Sequence, residues 1–81
     1  MNHLEKALAR FAPEDRLLMR AVFVRIRADD LLHLDVRKLK GYRNLYRVRL
    51  GECRIIFERT DAGENEIVVL TRRNENTYRD L

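Results

Sequence analysis

Eighty-one residues carrying 46% apolar and 37% charged side chains make one domain, 1–81, with enough hydrophobic content for a thin core and too much for a disordered chain. No apolar run approaches the length of a membrane span and no signal-peptide pattern opens the chain, so neither membrane insertion nor export is expected. Cys53 is the lone cysteine, which excludes an internal disulfide and fits a reducing, cytoplasmic setting. His3 and His33 have no thiol or carboxylate neighbours at ligand spacing, so no metal site and no cofactor is expected.

In chain order, Asn2 is placed to cap a short helix running to Arg10, with Leu4, Ala7, Leu8 and then Phe11 on one face. Ala12-Pro13 breaks it, and Pro13 suits the first position of a second helix ending near Arg27. Glu14 and Asp15 then lie in the first turn, where the helix dipole favours negative charge. Leu17, Ala21, Val24 and Ala28 recur at helical spacing and are expected to face the core, widened by Leu18, Val22 and Ile26. An irregular stretch follows from Asp29, and Gly41 closes the turn Lys-Leu-Lys-Gly.

The run from Leu45 to Arg59 alternates strictly on both sides of Gly51-Glu52, the pattern of a β-hairpin with a two-residue loop. That loop sets Leu50 opposite Cys53, Arg49 opposite Arg54 and Val48 opposite Ile55. Arg47, Arg49 and Arg54 then share one face, and Tyr46, Val48, Leu50, Cys53, Ile55 and Phe57 the other. Asp61 to Glu64 read as a turn, and Glu66 to Leu70 as a third strand buried on both faces. Arg72 to Leu81 form a polar tail containing Tyr78. The expected fold is therefore α+β, with two helices packed on the apolar side of a small antiparallel sheet.

Charge singles out the same hairpin. Between Arg37 and Arg59, eight basic residues stand against two acidic ones, a local +6 in a chain of net +4. A basic block of this kind attracts polyanions, and arginine forks match phosphate oxygens. A solvated basic face without a ligand would give the same composition.

The order and spacing of Lys-Leu-Lys-Gly from Lys38, the Leu45–Glu58 hairpin, Ile-Val-Val-Leu-Thr-Arg-Arg from Ile67, and Tyr78-Arg79 resemble the RelE/ParE superfamily of toxins of type II toxin–antitoxin systems. The resemblance implies a two-helix hairpin on a small twisted antiparallel sheet. It also implies a strand before the first helix, which is expected to be missing here, since Met1 stands almost at the helix start. Its partners would be a cognate antitoxin, mRNA and the ribosome, with DNA reached only through the antitoxin complex. In the RelE-like branch, which is favoured, the implied activity is a metal-independent, ribosome-dependent endoribonuclease (an mRNA interferase) that inhibits translation.

That branch implies catalytic roles for Arg47, Arg49 and Arg54, for Arg72 or Arg73, and for Tyr78, with Lys38, Lys40 and Arg43 following the RNA backbone. Arginine is effectively always protonated, so these guanidiniums serve as electrostatic clamps rather than bases. Base duty would fall to Tyr78, or to Glu52 or Glu75 if either reaches inward. Arg72 and Arg73 are adjacent, so a continuing strand directs them to opposite faces and only one joins the site. Blander roles exist for each: Arg54 as a surface partner of Glu52 or Glu58, Tyr78 as an apolar clasp, Tyr46 as a core residue. Two other functions remain open, a ParE-like inhibitor of DNA gyrase and an inactive relative that binds antitoxin in repression.

Overall fold

A computed structural model describes residues 3–72 of the chain. The expected roles of Asn2, Arg73, Glu75 and Tyr78 lie outside the described residues. The elements are α1 (His3–Leu8), α2 (Pro13–Arg27), β1 (Asp35–Lys38), β2 (Leu45–Leu50), β3 (Cys53–Arg59) and β4 (Asn65–Arg72). All four strands pair antiparallel in the order β1-β2-β3-β4, and both helices pack on one face of that sheet. No strand precedes α1 among the described residues, and no helix is long and apolar enough to cross a membrane.

Local chemistry sets the helix limits. Hydrogen-bonded turns continue past α1 to Phe11, whose amide donates to the Leu8 carbonyl at 3.0 Å. Leu8 and Phe11 are buried, with Leu4 and Ala7 packed against them, as the spacing predicts. Ala12 is extended, the conformation favoured before proline, and Pro13 opens α2.

The buried face of α2 differs from the expected one. Met19, Val22, Phe23 and Ile26 enter the core, while Leu17 and Val24 are 73% and 67% exposed and Ala21 and Ala28 also face solvent. Two apolar stripes interleave on this helix. The one carrying Met19 and Phe23 has more area to bury, at about 25 cal/mol per Å² removed from water.

The hairpin has its predicted register, with Leu50 opposite Cys53, Arg49 opposite Arg54 and Val48 opposite Ile55. Gly51 takes φ +59 in the two-residue loop, a conformation unfavourable for other residues. Val48, Ile55, Phe57, Ile67 and Leu70 face the helices and form the core with Leu8, Met19, Val22, Phe23 and Ile26. Tyr46 stacks on Phe57 with ring centroids 5.3 Å apart, so it is a core-side residue.

Two strand features depart from expectation. The stretch after Asp29 contains β1, which pairs with β2 and makes the sheet four-stranded. In β4 the apolar run is not buried on both faces: Val68 and Val69 are half-buried. Ile56 opposes Val69 and Phe57 opposes Ile67, so Val68 is the extra residue of a β-bulge.

A polar clasp joins α2 to the start of β4. Asn65 is buried, and its amide donates to the Ile26 carbonyl at 2.9 Å and to Asp29 Oδ1 at 3.1 Å. Its carbonyl oxygen accepts from Arg59 Nε at 3.0 Å, and Arg59 also pairs with Asp29 at 2.7 Å. Carbonyls at a helix end need such donors when buried.

Candidate functional site

The register fixes the layout of the sheet face turned away from the helices. One row runs across all four strands as Asp35, Arg49, Arg54 and Thr71. The next is Arg37, Arg47, Ile56 and Val69. Four guanidiniums thus rise from β1, β2 and β3 on one surface. Directly opposed like charges destabilise a sheet, and Arg49 faces Arg54 while Arg37 faces Arg47.

Arg47 sits at the centre of this arrangement. Its side chain is only 14% exposed, and the buried Ile56 lies directly opposite. Burial is the first cause that pulls its pKa below the ordinary arginine value. The charges of Arg49, Arg37 and Arg54 act the same way, and Asp35 opposes them. Asp35 is also its ion-pair partner, at 3.8 Å. Arg47 Nε is buried and has no hydrogen-bond partner among the described residues, and the same holds for the hydroxyl of the fully buried Thr71. A partly desolvated cation among like charges, with an unused donor, is a site that an anion stabilises on every count.

Of the expected site residues, Arg47, Arg49 and Arg54 are brought together. Arg72 is not. It opposes Cys53 on the helix side, lies over the Phe11 ring at 4.8 Å, and donates to the Arg10 carbonyl. Period-2 alternation sends it there because Thr71 takes the opposite face. Lys38 opposes Tyr46 and therefore also lies on the helix side, exposed on the edge strand. Lys40 and Arg43 are exposed in the loop joining β1 to β2. Glu52 is exposed at the hairpin turn.

Three residues are not placed on this face by the sequence reading: Asp35, Thr71 and Arg37, the last counted only in the basic block. Asp35 and Arg37 belong to β1, a strand of four residues with one apolar side chain, too weak a pattern to register. Thr71 could have been found by extending the alternation of β4 beyond Leu70. A groove of about 610 Å³ lined by Arg27, Glu64, Asn65, Glu66 and Ile67 lies elsewhere and holds none of the row.

No protein-family model matches the chain, and no curated protein does either. Among solved structures it is similar to the crystal structure of a RelB–RelE antitoxin–toxin complex from Methanococcus jannaschii. The two chains are 25% identical, with a TM-score of 0.74, over 93% of this chain and 87% of that one. Two helices on one face of an open antiparallel sheet, with a basic hairpin at its centre, match a RelE-like fold, and that fold does not separate the RelE-like from the ParE-like branch.

Proposed function

We propose that this chain is the toxin of a toxin–antitoxin pair and a metal-independent endoribonuclease that cuts ribosome-bound mRNA and so inhibits translation. The observation that carries the reading is the convergence of Arg47, Arg49 and Arg54 on one open face, with Arg47 Nε buried and without a hydrogen-bond partner among the described residues. Such a cluster binds a phosphodiester, and fixed positive charge stabilises the extra negative charge of the pentacovalent phosphorane.

Attack by the ribose 2′-hydroxyl needs a proton acceptor, which no guanidinium supplies. Asp35 fills that role best among the described residues: it opposes Arg49, pairs with Arg47, and its side chain is 49% exposed to an incoming strand. Its carboxylate takes the 2′-hydroxyl proton, the 2′-oxygen bonds to phosphorus, and the bond to the 5′-oxygen breaks. The leaving oxygen takes a proton from water. The products are a 2′,3′-cyclic phosphate and a 5′-hydroxyl.

The proposed protein partner is an acidic antitoxin segment that orders on contact, drawn by the +6 block and covering the arginine face or a sheet edge.

Expression of the free chain should arrest translation and leave mRNA ends of that chemistry. Arg54→Ala should slow cleavage ~10²-fold or more, and Asp35→Asn by a similar factor, with the fold intact by circular dichroism. Inhibition of purified gyrase without any RNA cut would overturn the nuclease reading in favour of the ParE-like branch.

A further inference from the structure

The second row of the outer sheet face holds a cation that the cleavage chemistry does not use. Arg37 on β1 lies directly opposite Arg47 on β2, and Ile56 and Val69 continue the row. Arg37 is exposed and forms no ion pair among the described residues. Arg47 is largely buried, 3.8 Å from Asp35, and its Nε has no hydrogen-bond partner among the described residues. Like charges held opposite each other destabilise a sheet, and an anion between them reverses the effect. Arg49 and Arg54 make one such pair, and Arg37 and Arg47 make another.

The spacing of the two pairs suits a nucleic-acid backbone. The register sets the Arg37–Arg47 pair two residues along and one strand across from the Arg49–Arg54 pair. Two residues along a strand advance about 7 Å, and neighbouring strands lie about 5 Å apart. Consecutive phosphates of an extended single strand span a comparable distance, and long arginine stems take up the remainder. An acidic peptide fits less well. Laid on a sheet face it finds no main-chain groups for its own amides, which only a sheet edge offers. A phosphodiester backbone has no amide to satisfy. Asp35 gives the path a direction, since it stands on β1 opposite Arg49 and two residues from Arg37. The ribose whose 2′-hydroxyl it deprotonates therefore lies toward β1, and the phosphate preceding that ribose lies toward Arg37.

We propose that Arg37 and Arg47 form a second phosphate subsite for single-stranded RNA, one that takes the phosphate on the 5′ side of the reacting nucleotide while Arg49 and Arg54 hold the linkage to be cut. The direction of the strand rests on the nuclease reading above; the presence of two adjacent phosphate subsites does not. Holding the reacting nucleotide by both of its phosphates fixes its ribose against Asp35, so contacts to a non-reacting group position the reacting one. Arg37 binds in this scheme and exchanges no proton.

Nuclear magnetic resonance titration of the purified chain at low salt tests the assignment. The probes are two 2′-deoxy dinucleotides, which bind without being cut. One carries only its internal phosphate, and the other adds a 5′-phosphate capped as a methyl ester, so that each phosphate bears a single charge. The added phosphate should tighten binding at least ~10-fold. Arg37→Ala, at an exposed position, should reduce that gain below ~2-fold, and Arg37→Lys should restore part of it. Lys6→Ala, which removes the same charge from the exposed surface of α1, should leave the gain intact. No gain from the added phosphate overturns the subsite, and so does a gain that Arg37→Ala preserves or Lys6→Ala equally removes. A Glu-Ser-Glu peptide that binds more tightly than either dinucleotide, and is lost in Arg37→Ala, overturns it in favour of a protein ligand. Cleavage of ribosome-bound mRNA is scored separately. A chain that cuts RNA but shows no gain loses only the subsite, and a chain that shows the gain but never cuts loses only the nuclease reading.

Discussion

Thr71→Val is expected to make this protein more stable, against the usual direction of substitutions at fully buried positions. Thr71 has no exposed surface, and its hydroxyl finds no hydrogen-bond partner among the described residues. Leaving a neutral polar group buried and unpaired costs about 1–3 kcal/mol. Valine keeps the branched shape and the preference for strand while removing that cost. A gain of about 1–2 kcal/mol follows, or a rise in Tm of roughly 4–16 °C for a domain of this size. Urea denaturation should show the midpoint moving up with the slope unchanged. Thr71→Ser is the control: it keeps the hydroxyl, loses the methyl and should destabilise. A Thr71→Val variant that unfolds at the same or lower urea would refute the reasoning, because the hydroxyl would then be satisfied. Unpaired polar groups of this kind collect where function outweighs stability.

Asn65→Ala should cost about 2–3 kcal/mol by urea denaturation, because it strips the donors from the Ile26 carbonyl and Asp29 and the acceptor from Arg59. Burial, the first cause, pushes the Cys53 thiol up, with Asp15 and Glu52 adding to the shift and Arg72 opposing it. A folded thiol pKa above the unfolded value of about 8.5 means stability is fully present below that pH and falls as pH rises through the interval between the two. Chemical denaturation repeated from neutral to strongly alkaline pH should show the loss, and Cys53→Ala should flatten it. Thiol-specific reagents should react with the native chain only slowly, at a rate set by opening of the core.

Much of this architecture is legible in the residues. Strict alternation around Gly51-Glu52 specifies the hairpin because a one-residue slip would bury three arginines. Pro13 and the acidic first turn specify where α2 begins. Orientation about the axis of α2 is not legible, since Leu17-Ala21-Val24-Ala28 and Met19-Val22-Phe23-Ile26 both satisfy helical spacing and only packing against the sheet chooses between them. Strand β1 is hidden for a different reason. Asp-Val-Arg-Lys has little apolar pattern of its own and becomes a strand by pairing with β2, a non-local event. With it were hidden Asp35 and Arg37, so the three arginines were visible in the sequence while the carboxylate among them was not.

The bulge at Val68 gives β4 one residue of slack. On each side of it the pairing with β3 is regular, but the two halves are out of phase. That offset lets residues of opposite parity, Ile67 and Leu70, both face the helices, which an unbroken strand forbids. It also frees the clasp at Asn65 from the arginine row at Thr71, because each end of the strand is phased separately. Loss of one residue from a strand ordinarily turns everything beyond it over to the other face. Here, removing Val68 would merge the two phases into a single regular ladder, with Asn65 and Thr71 still on the sides they now occupy. An inserted residue has no such place to go, so β4 should accept a shortening at this point far more readily than a lengthening.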